Sequence, residues 1–186
     1  MSGPYLNNQF LIAMPGMTDP NFSQTVTLIC DHGPRGALGI VINKSLQMSL
    51  GEVFDQLGLD FLHSRASARP VLRGGPVQTE RGFVLHRRGK TWESTLVVSD
   101  QLQLTTSRDI LDALASGEGP EEAIIALGYA GWEAGQLEEE MVRNAWLTVE
   151  ADERLLFDTP LEERWREAVQ LLGIDLSRLS SDAGHA

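Results

Sequence analysis

The 186-residue chain has one cysteine, two tyrosines and no long apolar run. The lone thiol, Cys30, excludes an internal disulfide framework. Without a run of about 18 apolar residues, no segment reads as a membrane-spanning helix. The N-terminal stretch MSGPYLNNQFLIAMPGMTDP has no basic residues ahead of its apolar segment, which extends only from Phe10 to Met14. A signal peptide needs both features, so the chain reads as a cytoplasmic protein. Repeats, low-complexity tracts and Gly/Ser linkers are also missing, and the length suits a single domain over residues 1–186. Within that length, 42% hydrophobic residues and four tryptophans are enough for a substantial core.

Metal chemistry has little to work with. The four histidines, His32, His63, His86 and His185, show no H-x-H or H-E-x-x-H spacing, and no C-x-x-C exists. The nearest approach to a nucleotide loop, Gly39 through Asn43-Lys44-Ser45, lacks the second glycine and runs through Ile40-Val41-Ile42. No metal and no cofactor are expected.

Charge is unevenly placed. The net −11 comes from 15 basic and 26 acidic residues, and residues 118–186 account for all of it. Residues 65–90 carry six arginines and Lys90 against Glu80 alone. Such a basic stretch invites phosphate, yet most charge runs are solvated faces.

Hydrophobic patterning places strands at 9–14, 25–30, 37–43, 70–77, 82–87, 94–99, 101–105, 122–132 and 145–151, with a further one at 154–158. Residues 31–36 supply turn chemistry for a hairpin loop of about four to six residues. The strands from 70 to 105 read as a meander without parallel crossovers. Helices fit 49–58, 107–117, 135–144 and 159–173, the last opening on a Thr159–Glu162 capping box with Pro160 at its first position. Leu161, Trp165, Ala168 and Leu172 form its buried stripe. This order gives an α+β fold, mainly antiparallel.

Three stretches carry candidate chemistry. In CDHGPRGALGIVINK (30–44), strand alternation turns Asp31 away from Cys30 and His32, so the three do not form a triad among themselves. Cys30, sharing a face with Val26 and Leu28, is expected to be buried and inert. In LRGGPVQTERG (72–82), Gly74 and Gly75 open the backbone to close approach, and Arg73 and Arg81 flank them, with Arg87 and Arg88 following. Backbone amides and guanidinium groups together make a candidate anion site. The competing reading is a glycine turn among solvated arginines. In LGYAGWEAGQLEEE (127–140), a carboxylate beside Tyr129 and Trp132 offers a general base, against a structural reading as a strand, a turn and an acidic helix start.

The segments FLIAMPGMTDPNFSQTVTLICDHGPRGALGIVINK, RGGPV, LGYAGWEAGQLEEEMVRNAWL and RWREAVQLLGID together resemble the bacterial AlgH/YqgE family, over nearly the whole chain from about residue 9. Asp31 stands where that family usually carries glutamate, which keeps the charge. The resemblance implies bifurcated, coiled antiparallel sheets packed around central helices. One branch of the family is named for regulating alginate biosynthesis in pseudomonads, often described as transcriptional. No catalytic residue, cofactor or ligand carries over with the resemblance.

The reading is therefore a non-enzymatic regulatory or interaction protein that binds a protein partner or a small anionic ligand, with Arg73, Gly74, Gly75, Arg81, Arg87 and Arg88 as the candidate surface. The alternatives are a hydrolase-like enzyme using His32, Asp19 and Glu138 of the Tyr129–Glu138 segment, and a DNA-binding regulator. Glutamate-rich helices and the lack of a helix-turn-helix signature argue against the last.

Overall fold

The computed structural model describes residues 5–173. Ten strands and five helices follow one another as β1 (Gln9–Ala13), β2 (Val26–Gly33), β3 (Gly36–Val41), β4 (Ser45–Ser49), α1 (Leu50–Gln56), β5 (Pro70–Arg73), β6 (Val77–Arg87), β7 (Thr95–Val97), β8 (Leu102–Thr105), α2 (Arg108–Ser116), β9 (Ala123–Glu133), α3 (Gln136–Val142), β10 (Trp146–Glu150), α4 (Glu153–Phe157) and α5 (Arg164–Leu171). The fold is α+β, as the residue patterning implied.

Two sheets share one strand. The first runs β10-β1-β2-β3-β9 and is antiparallel throughout. The second runs β4-β5-β9-β6-β8-β7. The eleven-residue β9 holds β6 along one edge. Along its other edge, Ile125–Leu127 pair with β5 and Ala130–Glu133 pair with β3. The branch lies between those two sets, at Gly128 and Tyr129.

The segment 74–76 makes the branch. It carries the chain from β5 on one edge of β9 to β6 on the other. Adjacent strands lie roughly 4.8 Å apart, so the crossing spans about 10 Å, nearly the full reach of three extended residues. It therefore has to pass in contact with the β9 backbone. A Cβ on Gly74 would lie 2.3 Å from the Gly128 carbonyl oxygen, and one on Gly75 would lie 2.1 Å from the Tyr129 carbonyl carbon. Gly128 answers with a left-handed backbone (φ 81°), and its own Cβ would meet the Gly75 oxygen at 2.5 Å.

Strands buried on both faces explain the continuous apolar runs. Phe10, Ile12, Leu28, Cys30 and Ile40 of the first sheet and Leu72, Phe83, Leu85 and Ile124 of the second enclose a central core, closed by Leu155 and Leu156 of α4 and Ala168 and Val169 of α5. The opposite face of the second sheet packs Val71, Val84 and Ile125 against α1 and α2. The opposite face of the first packs Leu11, Ile29, Ala130 and Trp132 against Leu137 of α3. No helix among the described residues is long and apolar enough to cross a membrane.

Four local expectations need correction. The meander does not form: β5 pairs parallel with β9, and β8 separates β6 from β7. Only Pro34-Arg35 separates β2 from β3, because their pairing continues to Gly33–Gly36. Residues 154–158 are helical, nucleated by Asp152, whose side chain accepts from the Arg154 amide at 2.9 Å. The Thr159–Glu162 box does not form, since the Thr159 hydroxyl turns back to the Arg154 carbonyl. Leu161–Glu163 is instead a 3-10 turn, with α5 beginning at Arg164.

Gly128→Ala is expected to lower stability by at least about 2 kcal/mol, from left-handed strain plus the clash with Gly75. Gly16→Ala, whose Cβ would meet nothing within 4 Å, should stay within roughly 0.5 kcal/mol of wild type in the same urea titrations.

Candidate functional site

His32 stands near the end of β2, beyond a bulge. Ile29 pairs with Gly39 and Asp31 with Leu38, which leaves Cys30 as the extra residue. The bulge breaks strand alternation, so His32 does not share the face of Cys30. The thiol points into the central core, and the imidazole meets α3 on the other side. Burial, helped by the Asp31 charge, pushes the Cys30 thiol far above its ordinary range, so it is a core group without nucleophilic character.

Both nitrogens of His32 are engaged. Nδ1 accepts from the Leu6 amide at 2.9 Å. That leaves the proton on Nε2, which donates to Glu138 Oε1 at 2.7 Å. The His32 backbone is held as well, by both ends of the Asn7 side-chain amide. The Tyr5 ring packs edge-on against the imidazole at 5.0 Å. The His32 side chain is 1% exposed and the Glu138 side chain 41%. The histidine hydrogen bond holds the Glu138 carboxyl below its usual range, against a smaller opposing effect of desolvation.

The acidic start of α3 acts as a clamp. While Glu138 takes His32, Glu140 Oε1 accepts from the indole nitrogens of Trp132 and Trp146 at 3.0 and 2.9 Å, and Oε2 accepts from Gln136. Asp19, the third member of the hydrolase-like set, is exposed in the segment between β1 and β2 and accepts the Asn21 amide. The structure thus brings His32 and Glu138 together across 106 residues, without Asp19. A groove of about 710 Å³ over the β2–β3 hairpin is lined by Asp31, Arg35, Tyr129 and Glu133 among others, and neither His32 nor Glu138 opens into it. The other buried histidine, His86, donates from Nδ1 to the Arg87 carbonyl and accepts at Nε2 from Thr105, and burial lowers its pKa. No cluster of three metal-ligating side chains occurs among the described residues.

The candidate arginines diverge. Arg73 donates to the Asn21 side chain, and Arg81 lies over the Phe83 ring at 5.5 Å. Arg87 is bound by Glu122 and Glu153 and packs on Phe157. Arg88 is exposed, on a cavity of about 410 Å³ shared with Arg87, Lys90 and Glu118. Gly74 and Gly75 are buried, and the close approach they permit is to β9.

Two other arginines converge. A cavity of about 240 Å³ between the β5–β9 edge and the α4–α5 helices is lined by Arg69 and Arg164, with Leu72, Ile124, Leu156 and Phe157 supplying apolar walls. Arg164 donates to the carbonyls of Thr159 (3.2 Å) and Ile42 (2.5 Å). Arg69 donates to the carbonyls of Ala123 and Glu121. Neither forms an ion pair among the described residues. Burial pushes the Arg164 guanidinium down to about 10 and lowers Arg69 as well, against the opposing pull of nearby glutamates. Sequence reasoning passed over both. Arg164 did leave a signal, falling three residues after Leu161 and four before Ala168, within an apolar helical stripe. Arg69, placed just before Pro70, left none.

Comparison with known proteins places this architecture. Residues 10–177 match the family described as AlgH-like. The chain belongs to that family. It is 54% identical to the UPF0301 protein of Thiobacillus denitrificans over the full length of both chains. A second UPF0301 protein, from Saccharophagus degradans, is 53% identical over 97% of this chain and 89% of its own. The solution structure of the AlgH protein from Pseudomonas aeruginosa superposes with a TM-score of 0.80 at 52% identity, covering 100% of this chain and 99% of that one. A Corynebacterium diphtheriae protein shares the fold with a TM-score of 0.69 at 16% identity, over 91% and 87% of the two chains.

The depressed carboxyl of Glu138 contributes stability above the ordinary carboxylate range, and that contribution is lost as pH falls through its lowered folded value. Wild type should therefore melt higher than Glu138→Gln near neutral pH, and the two should converge between about pH 5 and pH 3. Cys30 should react with a thiol-specific disulfide reagent only at the rate of global unfolding, accelerating sharply in urea.

Proposed function

We propose that this chain is a non-enzymatic regulatory or interaction protein that works by binding a small anionic ligand or a protein partner. The observation that supports this reading best is the internal commitment of His32. General acid–base work requires a nitrogen within reach of a substrate proton. Here one nitrogen holds the N-terminal segment and the other holds α3. Arg73, Arg81 and Arg88 remain exposed and without carboxylate partners among the described residues, which suits a polar contact surface.

A regulatory role of the alginate type, implied by the resemblance to AlgH, would on this reading be indirect. Helices α3 and α5 present Glu139 and Glu167 to solvent, and phosphates would be repelled there. The basic stretch 65–90 is partly neutralised by its own fold, since Glu122 and Glu153 hold Arg87.

Affinity capture on the immobilised chain, with mass spectrometry of retained proteins and metabolites, tests the reading. Replacing Arg73, Arg81 and Arg88 together by alanine is expected to reduce retention of a protein partner by roughly fivefold or more. Unchanged retention would remove the arginine surface. Binding of duplex DNA that weakens steeply with added salt would overturn the indirect route.

A further inference from the structure

The cavity between the β5–β9 edge and the α4–α5 helices combines charged and apolar lining. Two partly buried guanidinium groups, Arg69 and Arg164, line it from opposite elements, one just before β5 and one at the start of α5. Each is anchored by carbonyl oxygens, which fix the group without neutralising it. Desolvation acts on both cations, so a bound anion would recover interaction energy that water no longer supplies. The accessible apolar lining is Pro70, Ala123 and Phe157, backed by the buried core residues Leu72, Ile124 and Leu156.

The charges around the cavity select the kind of anion. Glu121 and Glu122 also line it, so its four charged side chains sum to zero. Glu122 is already bound to Arg87, itself held by Glu153. One added negative charge can lie between the guanidinium groups. A second would face Glu121 in a site of reduced dielectric, where like charges repel strongly. The volume of about 240 Å³ is below that of usual drug-sized pockets, and equals the share of about eight waters in liquid. That suits a head group with a tail of a few carbons.

We infer that this cavity is a binding site for a small monocarboxylate with a short apolar chain, its carboxylate between Arg69 and Arg164 and its chain against Pro70, Ala123 and Phe157. This rests on the small-anion arm of the proposed function and gives it a location and a ligand class. Planar guanidinium forks match a carboxylate in paired hydrogen bonds, and the apolar walls reward the tail.

Isothermal titration calorimetry of the full chain with butyrate, butyramide and inorganic phosphate tests the assignment. Butyrate should bind, butyramide at least about tenfold more weakly, and phosphate more weakly than butyrate. Arg69→Gln should weaken butyrate by about tenfold or more, with a smaller fall in melting temperature than Arg164→Gln. Arg164→Gln should do the same, but it removes the more deeply buried group with its anchors on Ile42 and Thr159. Arg69→Gln gives up bonds to Ala123 and Glu121 at a less buried place, and is the decisive variant if Arg164→Gln folds poorly. Equal binding of butyramide, or butyrate binding indifferent to Arg69→Gln, overturns the site. Tighter binding of phosphate overturns the ligand class while leaving an anion-binding function standing. Absence of butyrate binding overturns the inference, and the separate capture experiment with the Arg73, Arg81 and Arg88 variant still decides the broader reading.

Discussion

Everything in this fold depends on a three-residue crossing. Because Gly74, Gly75 and Pro76 must carry the chain over β9, the two backbones meet at distances no side chain can occupy. Gly128 bends β9 at the same point with a left-handed conformation. Relieving the contact by lengthening the segment would separate β5 from β6, and with them the two sheets. Once the crossing is made, β9 belongs to both sheets, and their inner faces close on one core. The branch also leaves β5 beside α4 and α5, which opens the cavity lined by Arg69 and Arg164.

The uneven charge of the chain follows from the same architecture. Its acidic C-terminal half is partly a set of acceptors for groups presented by the sheets. Glu138 takes the His32 imidazole, Glu140 takes two indole nitrogens, and Glu122 and Glu153 take Arg87. A helix of only seven residues has little stability of its own. These bonds, together with buried Leu137, dock α3 against the first sheet. The aromatic contacts between Phe22, Trp132 and Trp146 sit beneath that clamp.

Local chemistry was legible in the sequence, and juxtaposition was not. The helix at Leu50–Gln56 announced itself through apolar periodicity and forms its capping box on Ser49 and Glu52. Alternating Thr and apolar residues marked Val26–Cys30, and the turn glycines marked the branch without showing which backbones meet there. The bulge at Cys30 carried no signal, so the face of His32 was misread. The segment 154–158, three apolar residues between Arg154 and Asp158, has no decisive period, and only Asp152 distinguished helix from strand. The His32–Glu138 pair joins residues 106 positions apart, which no spacing rule reaches. The arginines chosen from a local cluster proved divergent, while the two that converge come from separate elements.

Arg164 is the residue that packing alone explains least. Its position in the helical stripe would suit leucine or methionine, and burying a guanidinium without an opposite charge is costly. The fold offsets this only in part, with the carbonyls of Ile42 and Thr159. Those bonds also tie α5 to the end of β3 and to the turn after α4, so the arginine does have a structural use. They leave one terminal nitrogen of the fork without a protein acceptor among the described residues. Arg69 has both terminal nitrogens on carbonyls, those of Ala123 and Glu121, and burial again opposes its charge. One such arginine can be accounted for as a strut between elements. Two of them line one small cavity from separate elements, where Glu121 and Glu122 balance their charge overall without ion-pairing to either among the described residues. Ordinary packing would have used apolar side chains there, and ordinary ion pairing would have closed Glu121, which lines the same cavity, onto one of the guanidinium groups.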